Sequence, residues 1–181
     1  MARYSNIPGN GGQPPVAWPK ESQIAFDAHR PTLVMFLHPK CPCSRASVGE
    51  LELLLAHFPD QLNTHIVFLK PEGTVTNWEK TDLWRQATST PQVTVHTDYA
   101  GAEARRFHAE TSGQSLLYDR NGSLQFQGGI TLGRGHAGDN PGRDALEEIL
   151  QHGSSSQTTT PVFGCSLFET QCEKGEAICK P

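Results

Sequence analysis

Cys41 and Cys43 stand one residue apart in "HPKCPCSRASVGEL", residues 38–51, between the apolar run "PTLVMFL" and an amphipathic stretch. A cysteine pair at such a junction suits a redox centre, half of a metal site, or two inert core thiols. The junction itself favours reactivity. Where a strand ends and a helix begins, backbone N–H groups and the helix dipole point at the side chain and stabilise a thiolate. A cysteine so placed ionises at about 3.5–7.5 rather than about 8.5, and becomes a nucleophile near neutral pH. Pro42 suits a first helical turn, where a missing N–H costs little. Lys40 and Arg45 add positive charge nearby.

Positioning that centre requires an alternation of strands and helices. "PTLVMFL" (31–37) is short and continuously apolar, the pattern of a strand buried on both faces of a parallel sheet. From Arg45 the spacing of Val48, Leu51, Leu54, Leu55 and Phe58 predicts a helix closed by Pro59. "THIVFLK" reads as a second strand, "NWEKTDLWRQA" as a short helix, "PQVTVHTD" as a third strand and "YAGAEARRFHAE" as a helix. "QSLLYDRNGSLQFQGG" predicts a hairpin in which Asn121-Gly122 supplies the positive φ angles of a tight turn. "DNPGRDALEEIL" carries an Asp/Asn cap and Pro141 ahead of Leu146, Ile149 and Leu150 on one face. The order β-α-β-α-β-α-β-β-α defines an α/β domain over residues 23–152, with a mixed central sheet flanked by helices.

Residues 1–22 read as a Pro/Gly-rich linker, either following an upstream anchor or forming a frayed N-terminus. Residues 153–181 read as a Ser/Thr connector followed by a tail holding Cys165, Cys172 and Cys179. A Cys172–Cys179 disulfide closing a small loop is the plainest reading of the tail in an oxidising compartment, with metal capture by three thiols as the alternative.

The strip "KCPCSRASVGEL" resembles the active-site strip W-C-P-P-C-R-A-E-M-P-E-L of thioredoxin-fold, membrane-anchored thiol:disulfide reductases (TlpA/ResA-like), with the RedB-like branch the nearest match. Cys41 aligns with the first cysteine, Pro42 with its proline, Cys43 with an intervening residue and Ser44 with the second cysteine. Arg45, Ala46, Glu50 and Leu51 match directly. The resemblance implies a thioredoxin-like fold, a protein or small-molecule disulfide as substrate, a redox partner, no cofactor, and a periplasmic or other extracytoplasmic site, with the cytoplasm as the alternative. The departures are Lys40 in place of tryptophan, the C-P-C-S centre, and Gly113 where the family carries a cis-proline.

Cys41 is therefore the expected nucleophile, and two thiols compete to resolve its mixed disulfide. Cys43 is adjacent, but a bond between residues two apart closes a tight, strained ring. Cys165 lies beyond the connector, where Val162 and Phe163 can dock it on apolar surface. Glutathione or another protein is a third route. The glycine-rich stretch 128–142 brings Arg134 and His136 as groups able to hold a thiolate, bind an anion or move a proton. Copper is the alternative cargo, held by Cys41, Cys43 and His38 or His136. A charge of -4 argues against nucleic acid. No stretch approaches the roughly 20 apolar residues of a bilayer span, and no G-x-G-x-x-G motif follows a strand.

Overall fold

The computed structural model describes residues 7–168. Five strands, β1 (Thr32–Leu37), β2 (Asn63–Lys70), β3 (Val93–Tyr99), β4 (Gln114–Tyr118) and β5 (Leu124–Gly128), form one sheet in the order β3-β2-β1-β4-β5. The helices are α1 (Ser44–His57), α2 (Asp82–Ser89), α3 (Ala102–Arg106) and α4 (Pro141–His152). Strands β1, β2 and β3 are parallel, and β4 and β5 add antiparallel neighbours. This is the mixed, helix-flanked sheet of the thioredoxin-like fold.

Central β1 explains its own sequence. Leu33, Met35 and Leu37 pack into the core under α1, α2 and α4. Val34 and Phe36 face the second core with Phe107, Leu116 and Tyr118. A strand covered on both sides needs apolar residues at every position, not at alternate ones. Because β4 runs antiparallel to β1 with Phe36 opposite Gln114, the start of β4 lies beside the end of β1. That topology brings Ser112 and Gly113 to the cysteine turn.

Several elements depart from the sequence expectations. Helix α2 begins at Asp82, not Asn77, because Thr81 caps it by accepting from the Trp84 N–H. Helix α3 has only five residues; Ala100 and Gly101 adopt positive φ, and the Asp98 carboxylate caps it by accepting from the N–H groups of Glu103 and Ala104. In the hairpin turn, residues 119–123, only Gly122 has positive φ. Asp119 there accepts from the Asn121 and Ser123 N–H groups, and a register shift follows Leu117, so the turn is a bulged one rather than the tight two-residue type. Helix α4 starts as its sequence predicts, with Asn140 capping the Arg143 N–H and Pro141 in the first turn.

The described parts of the two segments expected to be loose are laid on the domain. Trp18 packs on Phe26, Phe107 and Tyr118 at ring separations of 5.2, 5.0 and 5.2 Å, and Tyr118 donates to the Pro15 carbonyl. Thr158–Thr160 pair with β5 through Gln127, covering an edge that would otherwise offer unpaired backbone groups. The remainder of the tail, including Cys172 and Cys179, lies outside the described residues.

Candidate active site

Cys41 sits between the end of β1 and α1, in a turn closed by its N–H to the His38 carbonyl (3.0 Å) and by the Ser44 N–H to its own carbonyl (3.2 Å). Cys43, rather than Cys41, is the residue at the helix cap, and exposed Pro42 lies in the turn ahead of it. The apolar run ends at Leu37 because His38 and Pro39 leave the sheet; α1 starts where small Ser44 fits a fully buried position.

Three thiols converge there, none joined in a disulfide. Cys41 is 3% exposed. Its sulfur accepts hydrogen bonds from the Cys165 thiol, the Ser44 hydroxyl and the backbone N–H groups of Cys165 and Cys43. The Cys165 bond acts most strongly, and together these donors overcome the burial that opposes ionisation, lowering Cys41 from 9.0 to about 5. Cys165 moves the other way, because its thiol proton is held on the Cys41 thiolate and the site is desolvated. Burial first, and then the charge on Cys41, push Cys43 up. The Arg134 guanidinium offsets part of that rise at both Cys43 and Cys165.

Cys165 arrives on an ordered strap. The Ser112 N–H donates to the Cys165 carbonyl and the Leu167 N–H to the Glu110 carbonyl, each at 2.8 Å, with Thr111 and Ser166 bridged antiparallel. Val162 and Leu167 anchor it at 2% and 4% exposure, and Arg134 Nη1 donates to the Gly164 carbonyl. Gly164 lies so close to the Ser112 carbonyl that a Cβ would meet the oxygen at 1.8 Å. The strap thus makes the short extended pairing by which one chain adds to the backbone of another segment.

A hydroxyl chain supports the thiolate. The His38 N–H donates to Ser112 Oγ at 2.7 Å, and Ser112 Oγ lies 2.7 Å from Ser44 Oγ. Gly113 follows with φ +95°, its N–H donating to the Phe36 carbonyl, and a Cβ there would meet Ser47 Oγ at 2.9 Å. No cis peptide bond occurs among the described residues.

Not every expected residue joins the thiols. Arg45 is exposed and reaches towards Gln86 at 3.5 Å, and Lys40 lies 4.5 Å over the Trp78 ring. The guanidinium acting on Cys43 and Cys165 is that of Arg134. His136 is also exposed, with Nδ1 2.9 Å from the Arg134 carbonyl. His38 stays beside Cys41, where desolvation lowers its pKa, and its Nδ1 accepts from the Lys40 N–H. Among the described residues no group of three or more His, Cys, Asp or Glu side chains is placed to hold a metal ion. Ser112 and Gly164 were not anticipated; the Gly-Cys dipeptide at 164–165 was the available signal for the second.

No family model matches the chain, and no curated protein does. Solved structures match over most of its length. A hypothetical protein from Sinorhizobium meliloti 1021 superposes with TM-score 0.63 at 18% identity, covering 84% of this chain and 93% of that one. An uncharacterized conserved protein from Geobacillus kaustophilus gives 0.63 at 16%, covering 90% and 92%. StoA from Bacillus subtilis gives 0.50 at 16%, covering 79% and 97%. At these identities the likeness is one of fold, and it agrees with the strand order described above.

Proposed function

We propose that the protein is a thiol:disulfide oxidoreductase in which Cys41 is the attacking sulfur and Cys165 the resolving one. The contact between the Cys41 thiolate and the Cys165 thiol carries this reading. Cys41 attacks a substrate disulfide; a Cys41–substrate bond forms, the substrate S–S bond breaks, and one substrate thiolate leaves. That thiolate takes the Cys165 proton. The Cys165 sulfur then attacks Cys41, the second substrate thiolate departs and is protonated by water, and a Cys41–Cys165 disulfide remains. Two protein thiols are oxidised as one disulfide is reduced to two thiols. A dithiol partner returns the protein by the reverse exchanges.

Cys43 is the weaker resolving thiol, because it is fixed at the helix cap and a ring closed with Cys41 falls outside relaxed disulfide geometry. Ser44, where the resembled reductases carry their second cysteine, donates to the thiolate instead. Pro42 shapes the turn, and Arg134 holds the strap by its Gly164 carbonyl. The resemblance to membrane-anchored reductases supports an extracytoplasmic location and a RedB-like assignment. Among the described residues no helix is long and apolar enough to cross a membrane.

Disulfide mapping by mass spectrometry after one equivalent of a disulfide oxidant tests the reading. The expected product is Cys41–Cys165 in wild type and in Cys43→Ser, with a trapped mixed disulfide at Cys41 in Cys165→Ser. A reduced Cys41 in the oxidised protein, or a Cys41–Cys43 bond as the sole product, overturns it.

A further inference from the structure

Resting on that reading, the substrate class follows from what remains open around Cys41. The backbone of Glu110–Ser112 offers an extended edge beside this sulfur, and the strap already fills it. Its Ser112 N–H and Glu110 carbonyl are both paired to the strap, and the contact at Gly164 leaves no room for a second chain.

Cys41 has a second approach. An open cleft of about 280 Å³ is lined by Pro39, Lys40, Cys41, Pro42, Arg45, Thr81, Asp82 and Leu83, with no strap residue among them. The volume lies just under the roughly 300–1,000 Å³ of ordinary small-molecule pockets. A few residues' worth of substrate fits. Its walls are set, since the Thr81 hydroxyl donates to the Pro39 carbonyl at 3.0 Å and Leu83 is buried. Its charge is net positive. Asp82 is paired with Arg85, which leaves the cations of Lys40 and Arg45 to set the field at the rim. Cys41 thus lies between the strap and the cleft, which suits the chemistry, because the resolving thiol and the departing substrate sulfur need different sides of Cys41.

We propose that this cleft admits a small anionic disulfide, of the glutathione type, as the oxidant of Cys41, in place of an extended polypeptide. The first exchange forms a Cys41–S-substrate bond in the cleft and releases one small thiol. Cys165 attacks from the strap and releases the second.

The full chain, reduced, is mixed separately with oxidised glutathione, cystamine and insulin, and Cys41–Cys165 formation is followed by quenched mass spectrometry. Alkylation of Cys41 by anionic iodoacetate and neutral iodoacetamide is timed in parallel. Oxidised glutathione is expected to react about tenfold faster than cationic cystamine at low salt, approaching parity near 1 M salt, as screening of two rim cations requires. Insulin is expected to be slowest. In Lys40→Gln/Arg45→Gln, checked for an unchanged melting temperature, the glutathione-to-cystamine and iodoacetate-to-iodoacetamide ratios fall several-fold together. Cystamine at parity or faster, or insulin fastest, overturns the substrate class and leaves the oxidoreductase reading standing. No Cys41–Cys165 bond with any disulfide overturns that reading. In that event an alkylation ratio unmoved by the double variant overturns the cleft as an anion site, and a fall in the ratio supports it.

Discussion

The hydroxyl oxygens of Ser44 and Ser112 lie 2.7 Å apart, and with the Ser44 proton directed at the Cys41 thiolate Ser112 is the donor between them. Ser112 Oγ accepts the His38 N–H, which leaves its own proton for Ser44; Ser44 in turn gives its proton to the Cys41 thiolate. A backbone amide at the end of β1 is thereby relayed, through two buried hydroxyls, to the reactive sulfur.

Ser44→Ala removes the last donor of that relay. A hydrogen bond to a charged group contributes about 1.5–3 kcal/mol, so the Cys41 pKa is expected to rise by about 1–2 units. Thiolate absorbance at low ultraviolet wavelength, followed against pH, reads the shift. An unchanged titration would show that Ser44 does not support the thiolate.

The alkylation rate of Cys41 is expected to climb through pH about 5 and to level off by neutrality, where an ordinary thiol is still climbing. Stability has a matching sign. A thiol whose folded pKa is depressed stabilises the fold in full above its unfolded pKa of 9.0, and that contribution is lost as pH falls through about 5. Cys165, shifted upward, withdraws stability above its ordinary 9.0. Denaturation midpoints of wild type and Cys41→Ala are therefore expected to draw together as pH drops from 9 to 5. A constant gap refutes the linkage.

Gly164→Ala places a methyl group against the Ser112 carbonyl. Overpacking of this kind costs about 1–3 kcal/mol, and here it is relieved by lifting the strap. We expect faster proteolytic cleavage within residues 158–168 and a Cys41 pKa moved towards 9.0. Unaltered protection and titration would show that the strap tolerates the methyl group in place.

Restoring the proline of the resembled reductases, Gly113→Pro, is expected to destabilise by about 3 kcal/mol or more. The N–H of Gly113 donates to Phe36 and its φ is +95°, both closed to proline. Chemical denaturation measures it, and a neutral outcome would mean that the turn rebuilds itself.

The central elements were readable because each is dictated by a local pattern. β1 is apolar throughout, α1 repeats its leucines, and α4 announces itself by Asn140-Pro141. Cys41 was readable by its place between the first two. Ser112 was not, since nothing local distinguishes it and its partner lies 68 residues away. The docking of residues 158–160 and of the N-terminal segment was missed for a different reason. Proline- and glycine-rich chain reads as linker by composition, yet Thr158–Thr160 dock mainly through backbone groups, whose pairing leaves no mark in side-chain pattern. Trp18 was the visible exception, a large aromatic inside an otherwise polar stretch, and Trp18→Ala is expected to cost about 3 kcal/mol in thermal or denaturant unfolding.

The Gly9 N–H donates to the Val162 carbonyl at 2.8 Å, so the N-terminal segment and the strap pair antiparallel three residues ahead of Cys165. Anything that tugs on the beginning of the chain is mechanically in series with the arm bearing that thiol. Tension applied at Gly9 is transmitted to Val162, which makes the N-terminal segment a mechanical neighbour of the arm that carries Cys165.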